Sequence, residues 1–396
     1  MIPKIFFTFI FHIALFNSVN FAQKMDCSDV LLESLDKEFQ QELLTSLDSL
    51  VGQIRRNQIS EKFLWQKESK LSKTIFEEVH SYEKSFKDST YIISNSILNC
   101  YPIGKDRHLC QIAYYRQKES NSKSLQLLLS ILVHKENGIL TFSTPLNYYT
   151  DTWKKQQVGS IEYYYRDNIR IDRAEKFAQK NILFASRFKK PVQSLHYFMV
   201  ENYQELLRLL GFDFNAKSIG KLRDGFGVLG DEVIFSIMNN EDFSHDLFHY
   251  YSETIHKWSV RNWVTEEGLA YSWGNAYYTR KDGEIAEQKE LVEILQKYMD
   301  QNSNVDLLSL FENNIWTDKS GIYEQLAPDY KVGRLISSLI CDEVGKKHGM
   351  EGINILLKIG SKPNHIEPFL QSIDDLIGIN KSNFNDRVYR LIENYR

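Results

Sequence analysis

The pair His245 and His249, one helical turn apart in Ser-His-Asp-Leu-Phe-His, constrains this chain more than any other feature. Glu266-Glu267-Gly268 follows it, with Glu267 eighteen residues beyond the second histidine. Positions i and i+4 of a helix lie on one face, so both imidazoles can address a single ion. Three protein ligands with a fourth position left open make a catalytic rather than a structural zinc site. A chain built this way must bring two distant segments together inside a cleft.

The rest of the 396 residues sets the context. Residues 1-22 read as a signal peptide: Lys4 is the only charge, Ile5 to Phe16 is almost wholly apolar, and Val19-Asn20-Phe21-Ala22 ends on a small residue. The run is shorter than the ~20 residues that span a bilayer. No later stretch is long and apolar enough to be a transmembrane segment, so the expectation is an exported protein, periplasmic or extracellular. A net charge of −4, without a lysine-arginine cluster, gives no sign of nucleic acid as a partner. Aromatic residues make up 13%, which argues for a packed globular chain. Cys27, Cys100, Cys110 and Cys341 lack metal-ligand spacing; Cys100 and Cys110 could pair across a turn, but four cysteines allow three connectivities.

Helical periodicity runs through residues 28 to about 83, with Leu43, Leu44, Leu47, Leu50 and Val51 on one side. From 89 the pattern changes to Ile-, Tyr-, Val- and Thr-rich segments at 89–100, 107–118, 123–135 and 138–144, parted by turn signals. Helices followed by an antiparallel sheet describe a small α+β N-terminal domain, placed at 23-170. A second unit begins near 181. Strands are expected at Ile182–Ala185, Leu195–Val200 and Val233–Ile237, a helix at 201–211, and helices for nearly all of the chain from 264 on.

His-Asp-Leu-Phe-His at 245–249, with Asn-Trp-Val-Thr-Glu-Glu-Gly-Leu-Ala-Tyr at 262–271, resembles the gluzincin metallopeptidases, specifically their peptidase MA-like branch. Those proteins carry HExxH and then a W-L-x-E-G-x-A segment. Tyr330-Lys331-Val332-Gly333 and the later Lys347-His348-Gly349-Met350-Glu351-Gly352-Ile353 extend the likeness over about 181-396. The resemblance implies a zincin-like fold in an α+β protein whose C-terminal half is mostly helical. It also implies a zinc cofactor, a peptide or protein substrate, and His245, His249 and Glu267 as the metal ligands. Glu266, about 100° further round the helix, would face elsewhere. Tyr330 would hydrogen-bond the developing oxyanion. The aminopeptidases' G-x-M-E-N segment is absent upstream, so nothing supports an exopeptidase.

Asp246 departs from the family, which has a glutamate there as catalytic base. Aspartate keeps the charge and loses roughly 1.5 Å of reach. Displacements near 1 Å cost on the order of a hundredfold in rate. The expectation is therefore a zinc metallopeptidase of low activity. The alternative is a catalytically inactive pseudo-peptidase that serves as an exported binding or assembly protein. Glu253, one turn past His249, is a solvated position or an outer acceptor for that ring.

Overall fold

The structure is a computed structural model. It describes residues 26–27, 35–86, 91–118, 122–218, 232–276, 284–326, 330–362 and 364–395. The signal peptide expected at 1-22 lies outside the described residues. The described residues fall into two compact units, one within 26–69 and 75–143, the other within 70–74 and 144–395.

In the first unit, α1 (Lys37–Arg56) starts where Asp36 accepts the amide hydrogens of Glu38 and Phe39, at 2.9 and 3.1 Å. It stops at Asn57, whose φ of 53° is the left-handed cap. Leu43, Leu47, Leu50, Val51 and Ile54 repeat at helical spacing and are buried. A second helix, α2, spans Ser69–Phe86. The strands β1 (Asp26–Cys27), β2 (Tyr91–Gly104), β3 (Arg107–Lys118), β4 (Lys123–Glu136) and β5 (Ile139–Ser143) lie side by side in that order, antiparallel from β2 onward. Cys100 and Cys110 stand opposite each other in the β2–β3 ladder, Cα atoms 4.1 Å apart, and form a disulfide. Cys341 is a buried free thiol.

The second unit holds the sheet that carries the histidine helix. After a short helix α3 (Leu146–Thr150), β6 (Lys154–Val158) and β7 (Ile161–Tyr165) form a hairpin that turns at Gly159, φ 58°. Then follow α4 (Ile171–Phe188), β8 (Leu195–Met199), α5 (Tyr203–Leu209), β9 (Phe212–Asn215) and β10 (Val233–Ser236). The order across the sheet is β10-β8-β7-β6, with β10, β8 and β7 mutually parallel. Every residue of β10 is buried, as expected of a parallel strand covered on both faces. Because β7 ladders with β8, the β6–β7 hairpin belongs to the sheet of the second unit.

Ile182–Ala185 is not a strand. It lies within α4, whose buried residues Phe177, Asn181, Phe184 and Phe188 recur at helical spacing, while Ile182 is 58% exposed. Four apolar residues in a row cannot separate the two periods; the surrounding eighteen-residue helix does.

The remainder is helical: α6 (Ser244–Glu253), α7 (Trp263–Leu269), a π-helical turn at Ala270–Gly274, α8 (Gln288–Gln301), α9 (Leu307–Asn313), α10 (Val332–Lys358), α11 (Ile366–Ile377) and α12 (Phe384–Glu393). The long α10 is broken at Gly349, where φ 57° and ψ −151° suit only glycine. The chain is thus α+β, and no helix among the described residues is long and apolar enough to cross a membrane.

Candidate metal centre

The loop from β10 into α6 is fastened to the sheet before the helix begins. The Tyr197 hydroxyl on β8 donates to the Asn240 carbonyl at 2.8 Å and accepts from the Phe243 amide at 3.0 Å. Asp242 accepts the Ser244 amide hydrogen at 3.2 Å, a local turn that leads into α6. Further along, Tyr251 donates to Asn181 of α4 at 2.6 Å. Held at both ends, α6 turns His245 and His249 to the same side, with ring centroids 5.0 Å apart.

The opposing helix α7 is fixed just as firmly. Asn262 is fully buried; its side chain accepts from the Thr265 amide at 3.1 Å and donates to the carbonyls of Gly360 and His365, each at 2.7 Å. Gly268 is needed because a Cβ there would lie 2.5 Å from Ser337 Oγ and 2.9 Å from the Ser337 carbonyl carbon, on α10. The same Ser337 hydroxyl donates to the Val264 carbonyl at 2.7 Å. This close crossing of α7 and α10 sets the direction in which Glu266 and Glu267 leave their helix.

Glu267 points at the histidines. Its carboxylate oxygens lie 3.5 Å from His245 Nε2 and 3.8 Å from His249 Nε2, and the two Nε2 atoms are 3.3 Å apart. All three residues are buried. The hydrogens on the far side of each ring are assigned by acceptors. His245 Nδ1 faces the Asn275 carbonyl at 3.2 Å, which can only accept. His249 Nδ1 donates to Glu266 Oε2 at 3.0 Å. In neutral rings both Nε2 atoms are then bare lone pairs turned toward one another and toward a carboxylate. Bonds of ~2.0–2.1 Å to a tetrahedral centre give an edge of about 3.3 Å, which the two Nε2 atoms match. His245, His249 and Glu267 thus form a buried group that could bind a metal ion.

The electrostatics carry the same mark. Burial opposes charge on His249, yet its pKa is raised, because Glu266 accepts its hydrogen and the Glu267 and Asp246 charges surround it. Burial would push Glu267 up, but Arg334 and the two histidines hold it well below the usual carboxylate range. Arg334 reaches it directly, Nη1 on Oε2.

Glu266 fills a role that sequence reasoning did not assign. It is fully buried, accepts from the Ser252 hydroxyl as well as from His249, and lies 3.6 Å from the equally buried Arg261 guanidinium. Arg261 sits over the Trp263 ring, which in turn lies 5.8 Å from the His249 ring. Glu266 is therefore the carboxylate that fixes the His249 tautomer. Glu253 is exposed to solvent. Asp246 keeps part of its surface open; burial raises its carboxyl despite the nearby His245 and His249, and Glu267 adds to the rise. Tyr330 is fully buried with its ring against Tyr323, centroids 6.3 Å apart. The phenol in ring contact with His245 is Tyr271, at 5.9 Å. Burial and the Glu267 charge push its pKa up to about 12 against the pull of Arg334. No protein-family model, no curated protein and no solved structure matches this chain.

Proposed function

We propose that the chain is an exported zinc-dependent metallopeptidase with a zincin-like, gluzincin-type second unit. The observation that carries this reading is the convergence of two imidazole nitrogens, 3.3 Å apart, and the Glu267 carboxylate, whose oxygens lie 3.5 and 3.8 Å from them, in one buried group. A mixed nitrogen and oxygen set with three protein ligands suits zinc with one position open. The order of parallel strands, histidine helix and glutamate helix is consistent with the family resemblance. Zinc, when bound, would supply Lewis acidity toward a carbonyl and an activated water.

The protein's own groups then have distinct tasks. His245 and His249 bind through Nε2, their other nitrogens held by Asn275 and Glu266. Glu267 supplies the third ligand. Asp246, beside His245 and within electrostatic reach of all three ligands, accepts a proton at the reacting centre. Its shorter side chain limits how well it reaches, so slow turnover is expected. The resemblance gives the oxyanion contact to Tyr330.

The same short carboxylate supports a second reading, a pseudo-peptidase that keeps the site and binds rather than cleaves. Metal analysis of the purified full chain should find near-stoichiometric zinc, and the Asp246→Glu variant should hydrolyse a broad peptide library about a hundredfold faster than the parent. Zinc in both with hydrolysis by neither would favour the binding role. Metal-free protein at neutral pH would dismiss both readings.

A further inference from the structure

Arg334 is placed on the metal-site carboxylate by a device of its own. It belongs to the first turn of α10. A Cβ on the preceding Gly333 would lie 2.7 Å from both the Asn314 carbonyl carbon and the Ile315 nitrogen, so only glycine lets the helix start so near that backbone. The approach brings Arg334 Nε to within 3.1 Å of the Ile315 carbonyl, to which it donates. With the guanidinium pinned on that edge, Nη1 falls on Glu267 Oε2. That oxygen is also the one 3.5 Å from His245 Nε2. An ion held by the two histidines and the guanidinium therefore draw on the same carboxylate.

We infer that Arg334 is the resident counter-cation of Glu267 and sets the metal affinity of the site by competing with the ion. The inference rests on the metal-site reading above. Two effects oppose each other. A residue that holds a ligand in place aids binding, and losing it costs ten- to a hundredfold in affinity. Two cations crowded on one buried carboxylate repel each other, and at the dielectric of a protein interior that repulsion outweighs the orienting effect. Removing the guanidinium should therefore tighten metal binding. It should also weaken the metal-free protein, since a buried carboxylate then has lost its paired charge. Affinity and metal-free stability move in opposite directions, which a packing role alone would not produce.

Zn2+ affinity is to be measured by chelator competition on the full chain, alongside thermal melting with and without Zn2+. Arg334→Gln is expected to bind at least tenfold more tightly than the parent, to melt lower without metal, and to recover that loss with it. Arg334→Lys, which keeps a charge, is expected to stay near the parent in both. Should Arg334→Gln fail to fold alone, purification with Zn2+ present must restore it, because the ion replaces the missing charge; failure in both conditions overturns the inference. Equal or weaker Zn2+ binding by Arg334→Gln, with zinc stoichiometric in both proteins, overturns the assignment of Arg334 alone. No zinc uptake by either protein removes the metal site itself, and the inference with it.

Discussion

His134 in the first unit and His249 in the second are both buried, yet their surroundings take them in opposite directions. His134 sits on β4, its Nε2 2.9 Å from the Ser143 hydroxyl and its ring stacked 4.2 Å from Trp65. Burial, aided by the Arg107 and Lys67 charges and opposed by Glu136, brings its pKa down to about 4. His249 has Glu266 on one nitrogen and Glu267 facing the other, and its pKa is raised. Burial alone makes a histidine a neutral packing residue. Anionic neighbours that outnumber the local cations make it a seat for positive charge, whether proton, guanidinium or metal ion.

The largest expected effect tests that distinction at its root. His249→Ala removes one of three donors and should weaken Zn2+ binding on the order of a thousandfold, read by chelator competition. His134→Gln should leave Zn2+ binding unchanged. Equal losses would break the contrast between the two histidines.

A smaller effect comes from acid. An unfolded histidine takes up its proton near pH 6.5. Folded His134 does so only near 4. Between those values the unfolded chain binds the extra proton, so stability is whole above about 6.5 and declines as the pH falls toward 4. The loss from this one group is at most about 3 kcal/mol. Urea midpoints from pH 7 to 4.5 should fall more steeply for the parent than for His134→Gln. Parallel curves would mean that this ring is not held neutral.

The contrast also marks how far the sequence could be read. The histidine pair was legible because helical spacing is local: two residues one turn apart share a face in any helix. Strands β2 to β5 were legible from their composition and turn signals. The pairing of Cys100 with Cys110 was legible only as one of three connectivities; the β2–β3 register, which places them opposite each other, selects it. The work of Glu266 was not legible. Its helix predicts only that it diverges from Glu267; that it turns to His249 depends on the α7–α10 crossing at Gly268 and Ser337, residues far apart in the chain. Arg334 escaped for the same reason. Its place beside Glu267 follows from Gly333 lying against the Asn314–Ile315 backbone, which no short motif encodes.

Glu266→Gln gives the smallest effect and the sharpest division. Glutamine has the same size and its carbonyl can still accept from His249 Nδ1, so the ring stays oriented while the charge is lost. The change also takes a carboxylate from beside the buried Arg261 guanidinium, 3.6 Å away. If negative charge around His249 is what makes this site seek a cation, Zn2+ binding should weaken ten- to a hundredfold, the range expected for a carboxylate behind a ligating imidazole. The visible spectrum of the Co2+-loaded protein should shift as well, since the ligand becomes less basic. Unchanged affinity and spectrum would mean that Glu266 supplies geometry only. The difference between His134 and His249 would then rest on Glu267 alone.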